Sequence, residues 1–235
     1  METKDSNLKD LSWDQLMALF ISSLSLIGFL FVALLKSNFV PIDANVNSWS
    51  ASIQTSSLTQ TAEIVAYCFD TTPLFAASLL IAACLFYKNY KKNALLLVGA
   101  MGGDAAVITM VKMLVHSERP LNGIMQETGF SFPSGHVASS VVFIGILTYF
   151  AFQHSKSSNR KTLSSTFYVA IEFIIGFDRL YLNVHWFSDV LGGYLLGVFW
   201  LTFSILAFQY LERTGKFQMK RKNFKRALKP VMPSN

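Results

Sequence analysis

Three polar clusters interrupt an otherwise apolar chain, and each contains residue types that can act on an anionic group. The clusters are KMLVHSERP, PSGH and DRLYLNVHWFSD, and their reactive residues are Lys112, Arg119, Ser134, Gly135, His136, Arg179, His185 and Asp189. Together they offer cations, a hydroxyl, two imidazoles and a carboxylate. Such a set can serve nucleophilic or general acid–base chemistry.

The third cluster pairs a histidine with a carboxylate. His185 and Asp189 are spaced i, i+4, a spacing that places two side chains on one face of a helix. A carboxylate in that position fixes the imidazole tautomer and leaves the other ring nitrogen free to act as a nucleophile. The alternative, an interfacial histidine capped by a helical aspartate, stays open for this pair alone.

Three cations come from separate parts of the chain. Lys112, Arg119 and Arg179 lie at or near the ends of apolar segments, where charges are costly and indicate a function. Lys112 taken alone is also explained by a side chain that reaches towards the membrane surface. Three converging cations, however, need a common anion, and the planar guanidinium of arginine suits a phosphate.

The PSGH segment precedes an apolar run at residues 137–153. Pro133 restricts the backbone, Ser134 supplies a hydroxyl, and Gly135 lets the backbone approach a ligand closely. If a helix begins here, its free N–H groups and dipole face an anion. His136 would then stand beside that anion as a general acid, although a turn with an incidental histidine also fits the segment.

Composition indicates a membrane protein. The chain has 235 residues, of which 52% are hydrophobic and 14% charged, and its mean hydropathy is +0.40. The net charge of +6 does not indicate nucleic-acid binding, because the basic residues cluster beside apolar segments. A basic tail at 211–235 suits anionic lipid headgroups instead. Cys68 and Cys84 imply no disulfide framework.

Apolar runs predict an all-α bundle of six transmembrane helices in one domain, 1–235. The predicted helices cover residues 16–35, 73–87, 93–115, 137–153, 163–177 and 187–210. The first is expected to be retained, since no signal-peptidase site follows it. Gly192, Gly193 and Gly197 in the last should allow close approach of a neighbouring helix.

Basic loops predict the orientation of this bundle. The loops at 88–92 and 156–161 and the tail carry most of the lysine and arginine, so they and both termini should be cytoplasmic. The three polar clusters then share the extracytoplasmic face. Asp104 and Glu172 are predicted intramembrane acids that either pair with a basic group such as Lys112 or line a path.

The order and spacing of the clusters resemble the type 2 phosphatidic acid phosphatase superfamily. The pattern is Lys-x6-Arg-Pro, then Pro-Ser-Gly-His, then Arg-x5-His-x3-Asp, and it spans residues 112–189. The resemblance implies that His185 forms a phosphohistidine, Asp189 orients it and His136 protonates the leaving group. It also implies no metal or other cofactor, and phosphate binding by a set of five residues: Lys112, Arg119, Ser134, Gly135 and Arg179.

One position departs from the family pattern. Asp178 precedes Arg179, where the family usually has serine. Its carboxylate could orient or partly neutralise Arg179, or repel the phosphate if it faces the site. His116, between the first motif's fixed positions, is expected to be a neutral histidine facing the membrane interface.

The expected activity is hydrolysis of a lipid phosphate at the outer face of the plasma membrane. Undecaprenyl pyrophosphate is the leading substrate, followed by phosphatidylglycerophosphate, phosphatidate and diacylglycerol pyrophosphate. Membrane lipids are the expected partners, with no nucleic acid and no obligatory protein. The alternatives are a lipid-to-lipid phosphotransferase, a non-enzymatic transporter, and a soluble haloperoxidase, which the transmembrane segments disfavour.

Overall fold

The apolar runs of the sequence become long helices. The computed structural model describes residues 11–214, and no strand occurs among them. The elements are α1 (Trp13–Leu34), a 3₁₀ helix (Lys36–Phe39), α2 (Val40–Ser52), α3 (Ser56–Cys68), α4 (Thr71–Tyr87), α5 (Lys91–Val115), α6 (Gly135–His154), α7 (Ser158–Tyr181) and α8 (Phe187–Arg213). The all-α prediction is confirmed, and both cysteines are free.

Local sequence signals set several helix ends. The Ser12 and Gln15 side chains form a capping box at the start of α1, and Asp70 accepts the Thr71 N–H at the start of α4. α5 ends at Val115 and is followed by His116, whose φ of 50° lies in the left-handed region that often terminates helices. His116 packs edge-on against Phe130, with ring centroids 4.4 Å apart.

Four helices are long and apolar enough to cross a membrane. These are α1, α5, α6 and α8, and α3 with α4 would make a fifth span bent by 47°. α7 occupies the predicted fifth segment but does not reach the same apolarity. Its charged residues are Arg160, Lys161, Glu172, Asp178 and Arg179. The chain is therefore a membrane protein with four or five such spans, and the count of six stays a prediction.

Glycines bring α8 against α6, as the sequence predicted. A Cβ on Gly197 would lie 2.8 Å from Val141 Cβ, and one on Gly193 would lie 2.8 Å from the Ser134 carbonyl oxygen. Neither position has room for a side chain. This contact places the first turn of α6 beside the first turn of α8, where the second and third polar clusters lie.

The basic loops share one end of the bundle. Lys92 Nζ lies 2.6 Å from Glu212 Oε1, the Gln15 amide donates to Gln209 at 2.8 Å, and the rings of Tyr90 and His154 are 5.6 Å apart. The starts of α1 and α5 and the ends of α6 and α8 therefore meet. Of the basic tail, 215–235 lies outside the described residues.

The polar stretch at 38–61 forms the end of the 3₁₀ helix, α2 and the first part of α3, at the opposite end. Asp43 in α2 is buried and accepts hydrogen bonds from the Ser188 backbone and hydroxyl, both at 2.8 Å. The Tyr181 hydroxyl accepts the Thr55 N–H at 2.9 Å and donates to the Thr55 carbonyl at 3.2 Å. These contacts fasten the stretch to the ends of α7 and α8.

Candidate active site

A cavity of about 470 Å³ lies at the end of the bundle away from the basic loops. Five of the predicted site residues line it, together with residues of the bend between α3 and α4. The predicted ones are Lys112, Arg119, Gly135, His136 and His185, and the additional polar ones include Asp70, Thr71, Gln126, Glu127 and Thr128. All three polar clusters therefore contribute to one concave site.

His185 lies in the loop before α8 and not on the helix itself. Its Nδ1 is 3.5 Å from Asp189 Oδ2, and its Nε2 is 3.3 Å from Arg119 Nη1. The predicted helical face is thus wrong, although the predicted pairing is found. Asp189 caps the start of α8 by accepting the Trp186 N–H at 2.9 Å, and this cap carries its carboxylate back to His185.

His185 is held neutral by its surroundings. The side chain is almost fully buried, and burial lowers the pKa of His185 to about 4, against the opposing effect of the Asp189 carboxylate. At neutral pH the imidazole therefore has a lone pair on one ring nitrogen. Because a guanidinium only donates, the contact with Arg119 makes Nε2 the nitrogen that carries this lone pair, and Nδ1, 3.5 Å from Asp189 Oδ2, carries the proton.

His136 lies in the first turn of α6, which begins at Gly135. Its Nε2 is 3.1 Å from Arg179 Nη1 and 3.7 Å from Asp70 Oδ1. Because a guanidinium can only donate, Nε2 accepts a hydrogen bond in this state and does not carry the proton. His136 becomes a general acid only after Nε2 takes up a proton.

A carboxylate that the sequence analysis did not single out joins two of the predicted cations. Glu127 Oε2 lies 3.2 Å from Arg119 Nη2, and its Oε1 lies 3.1 Å from Arg179 Nη1. Lys112 Nζ donates to the Phe130 carbonyl at 2.8 Å. The cations thus converge as predicted, and an anionic group of the protein itself lies between the two guanidiniums.

Asp178 orients Arg179 from the side. The Arg179 Nε donates to Asp178 Oδ2 at 3.0 Å, and Nη2 contacts the same oxygen. Both residues are buried, and Asp178 is not among the residues that line the cavity. Of the readings left open for this departure from the family pattern, the side-on hydrogen bond is the one observed.

Ser134 differs from the other predicted phosphate ligands. It is fully buried, does not line the cavity, and its Oγ has no hydrogen-bond partner among the described residues. Its backbone N–H donates to the Asp189 carbonyl at 3.0 Å, which joins the PSGH segment to α8. A direct role of its hydroxyl in phosphate binding stays a prediction.

A second group missed by the sequence analysis lies behind His185. Lys36 Nζ is 2.5 Å from Asp189 Oδ1 and 3.0 Å from Ser188 Oγ. Asp43 accepts from Ser188, and burial raises the pKa of Asp43 above its ordinary value. Lys36 and Asp43 are far from the motifs in sequence, and no spacing pattern connects them to the site.

The two intramembrane acids bind serines of α6. Asp104 Oδ2 accepts from Ser139 Oγ and Glu172 Oε2 from Ser140 Oγ, each at 2.8 Å. Neither carboxylate forms an ion pair within residues 11–214. Pairing with Lys112, one of the alternatives left open by the sequence, is therefore not observed.

Three side chains in the cavity form a group that could hold a metal ion, which was not expected from the sequence. Ligand atoms of Glu127, His136 and His185 all lie within 4.8 Å of one another. Arg119 contacts Glu127 and His185, and Arg179 contacts Glu127 and His136. Two guanidiniums in these positions oppose a divalent cation and favour an anion.

Two buried histidines, one backed by a carboxylate, among converging cations define a phosphate-processing site in a helical membrane bundle. The family model of the PAP2 superfamily matches residues 93–213, and the chain belongs to that superfamily. It is a lipid phosphatase, a hydrolase of phosphoric esters.

Individual relatives agree with this assignment. The chain is 30% identical over 143 residues to phosphatidylglycerophosphatase B of Bacillus subtilis (strain 168), covering 60% of this chain and 69% of the relative. The crystal structure of a transmembrane PAP2-type phosphatidylglycerolphosphate phosphatase from Bacillus subtilis has a TM-score of 0.75 at 22% identity, covering 86% of this chain and all of that one. The crystal structure of LpxE from Aquifex aeolicus has a TM-score of 0.53 at 21% identity, covering 70% of this chain and 94% of that one. These two structural matches show the fold.

Proposed function

We propose that this chain removes phosphate from a membrane lipid through a phosphohistidine formed on His185. The observation that carries the proposal is the placement of His136 and His185 in one cavity. His185 has Asp189 next to Nδ1 and the cavity residue Arg119 next to Nε2. A nucleophile, its orienting carboxylate and a second histidine are the parts that a two-step transfer needs.

The first step forms the covalent intermediate. The lipid phosphate binds Lys112, Arg119 and Arg179, displacing Glu127 from the two guanidiniums, and its oxygens also face the first N–H groups of α6. The lone pair of His185 Nε2 attacks phosphorus while the bond to the leaving oxygen breaks. His136, protonated on Nε2, gives its proton to that oxygen.

The second step regenerates the enzyme. A water molecule attacks the phosphorus, the P–N bond breaks, and its electron pair returns to His185. The proton lost by the water goes to His136, which restores the acid for the next cycle. Asp189 stabilises the positive charge that develops on His185 in both steps.

Two lipid classes are the leading substrates. Phosphatidylglycerophosphate is favoured by the similarity of this chain to phosphatidylglycerophosphatase B of Bacillus subtilis. Undecaprenyl pyrophosphate, the leading substrate inferred from the sequence, is favoured by the predicted outward-facing site and by a cavity of about 470 Å³, which exceeds what one phosphate group needs. Phosphatidate and diacylglycerol pyrophosphate present the same phosphate chemistry and follow as further candidates.

We infer a multi-pass protein of the plasma membrane with the cavity on its extracytoplasmic side. The basic loops share the end of the bundle away from the cavity, and the positive-inside rule would place that end in the cytoplasm. Six spans with both termini inside would satisfy this orientation. The activity needs no protein partner in this proposal.

Phosphate release by the purified protein tests the proposal. Wild type should release phosphate from phosphatidylglycerophosphate or undecaprenyl pyrophosphate and form an acid-labile ³²P-labelled enzyme. His185→Ala should lose both, whereas His154→Ala, a histidine at the other end of the bundle, should retain them. Robust turnover by His185→Ala would contradict the mechanism, and label appearing in an added acceptor lipid would indicate a phosphotransferase.

The role of His136 is tested by comparing leaving groups. His136→Ala should slow hydrolysis of a phosphate monoester more than that of a pyrophosphate, whose leaving group needs less help from an acid. Equal losses on both substrates would argue against protonation of the leaving group by His136.

A further inference from the structure

Lys36 contacts the carboxylate of Asp189, the residue that pairs with His185. It follows α1 in the 3₁₀ helix, outside residues 93–213 that match the family model. Its ammonium group lies 2.5 Å from Asp189 Oδ1, while the other carboxylate oxygen, Oδ2, lies 3.5 Å from His185 Nδ1. One carboxylate thus separates a lysine from the proposed nucleophile.

The lysine is held in place by further contacts. Its Nζ donates to Ser188 Oγ at 3.0 Å, and Ser188 in turn donates to Asp43 from its backbone and its hydroxyl. The ammonium also lies 4.9 Å from the ring centroid of Phe132, the residue before the PSGH segment. The group therefore has a defined position, set by α2, α8 and the loop before α6.

Lys36 is separated from the cavity that contains the histidines. It does not line that cavity, but lines a second one of about 580 Å³ on the side of α2 and Trp186. Its ammonium contacts Asp189 and Ser188, neither of which lines the cavity of the histidines. Its charge acts on Asp189, whose side chain is fully buried. Among the described residues, Asp189 forms ion pairs with Lys36 and His185 and with no other residue.

We propose that Lys36 is a positioning residue that clamps the Asp189 carboxylate and thereby orients His185 for attack. The inference rests on the proposed function of His185 as nucleophile. Without Lys36 the carboxylate would be held only by the Trp186 N–H and His185, both at Oδ2, so Oδ1 could shift and the imidazole would lose part of its orientation. The clamp leaves Asp189 Oδ2 directed at His185 Nδ1.

Removing the clamp should raise the proton affinity of His185. Loss of the ammonium removes a positive charge near the imidazolium and leaves more of the Asp189 charge to stabilise it. The charged or titratable groups that face the His185–Asp189 pair from the surrounding elements are Arg119, Glu127, Lys112, His136, Lys36 and Asp43. Only Lys36 changes in the experiment below, so the other contributions are common to both proteins.

Histidine NMR in detergent micelles measures this effect without relying on activity. The four histidine rings are labelled, and the His185 signal is assigned by its absence in His185→Gln. In Lys36→Met the titration midpoint of His185 should rise by about one pH unit, the lower end for a nearby charge. Lys36→Arg should keep the wild-type midpoint. An unchanged midpoint in Lys36→Met would overturn the inference.

Kinetics provide the second readout. Lys36→Met should lower kcat about tenfold near the acidic limb of the pH profile, as one pH unit implies, with KM unchanged. In an Asp189→Asn background the same substitution should not lower kcat any further, because the carboxylate on which Lys36 acts is absent. A rise in KM with kcat unchanged would overturn the inference by making Lys36 a phosphate ligand.

Controls separate this inference from other failures. Lys92→Met breaks a more exposed lysine–carboxylate pair, with Glu212 at the far end of the bundle, and should change neither readout. Lys36→Gln replaces the methionine variant if that variant does not fold. Wild type that releases no phosphate would refute the proposed function, while the NMR midpoint would still decide whether Lys36 acts on His185.

Discussion

A buried neutral histidine should make the stability of this protein depend on pH. Burial lowers the pKa of His185 from 6.5 to about 4, so the unfolded chain binds a proton between these values and the folded chain does not. Stability from this residue is complete above pH 6.5 and is lost as pH falls towards 4. Between pH 6.5 and pH 4 the free energy of unfolding should fall by about 3.4 kcal/mol because of this residue, and about 2 kcal/mol of that is lost by pH 5.

Thermal unfolding in a detergent whose charge does not change with pH measures this loss. Wild type and His185→Gln are compared at pH 7 and pH 5 by tryptophan fluorescence, so that titrating groups distant from His185 contribute equally to both proteins. Wild type should lose about 4–8 °C more in Tm than the glutamine variant over this interval. Equal losses in both proteins would show that His185 is not held neutral by burial.

Three further predictions concern packing and charge. Asp178→Ala leaves the buried Arg179 paired with Glu127 but without the carboxylate that orients it from the side, and the free energy of unfolding in detergent should fall by about 1–3 kcal/mol; a change within error would contradict the pairing. Gly193→Ala, whose Cβ would lie 2.8 Å from the Ser134 carbonyl oxygen, should cost about 1–3 kcal/mol, whereas Gly99→Ala, with nothing within 4 Å, should cost little. A chelator should leave phosphate release unchanged, and restoration of a lost rate by a divalent cation would contradict the anion-binding assignment of the cavity.

The residues predicted from the sequence are those that a local pattern can reveal. His185 and Asp189 are close in the chain, so their spacing alone predicted a contact, although the contact is made by a helix cap and not by a helix face. Lys112 and Arg119 flank the end of α5, where an apolar run stops. The long helices were predictable for a related reason, since a run of apolar residues needs no knowledge of its neighbours.

Glu127 and Lys36 could not be found in this way, because their roles arise from packing between distant segments. Glu127 lies in an irregular loop, and its position between two guanidiniums depends on the placement of Arg179 about fifty residues later. Lys36 reaches Asp189 across 153 positions of sequence, because α1 packs along α8. A lysine after an apolar helix is ordinarily explained by the membrane surface, and only the buried carboxylate facing it changes that interpretation. The groups that handle the phosphate thus follow from local patterns, whereas the groups that hold them in place depend on which helices are neighbours.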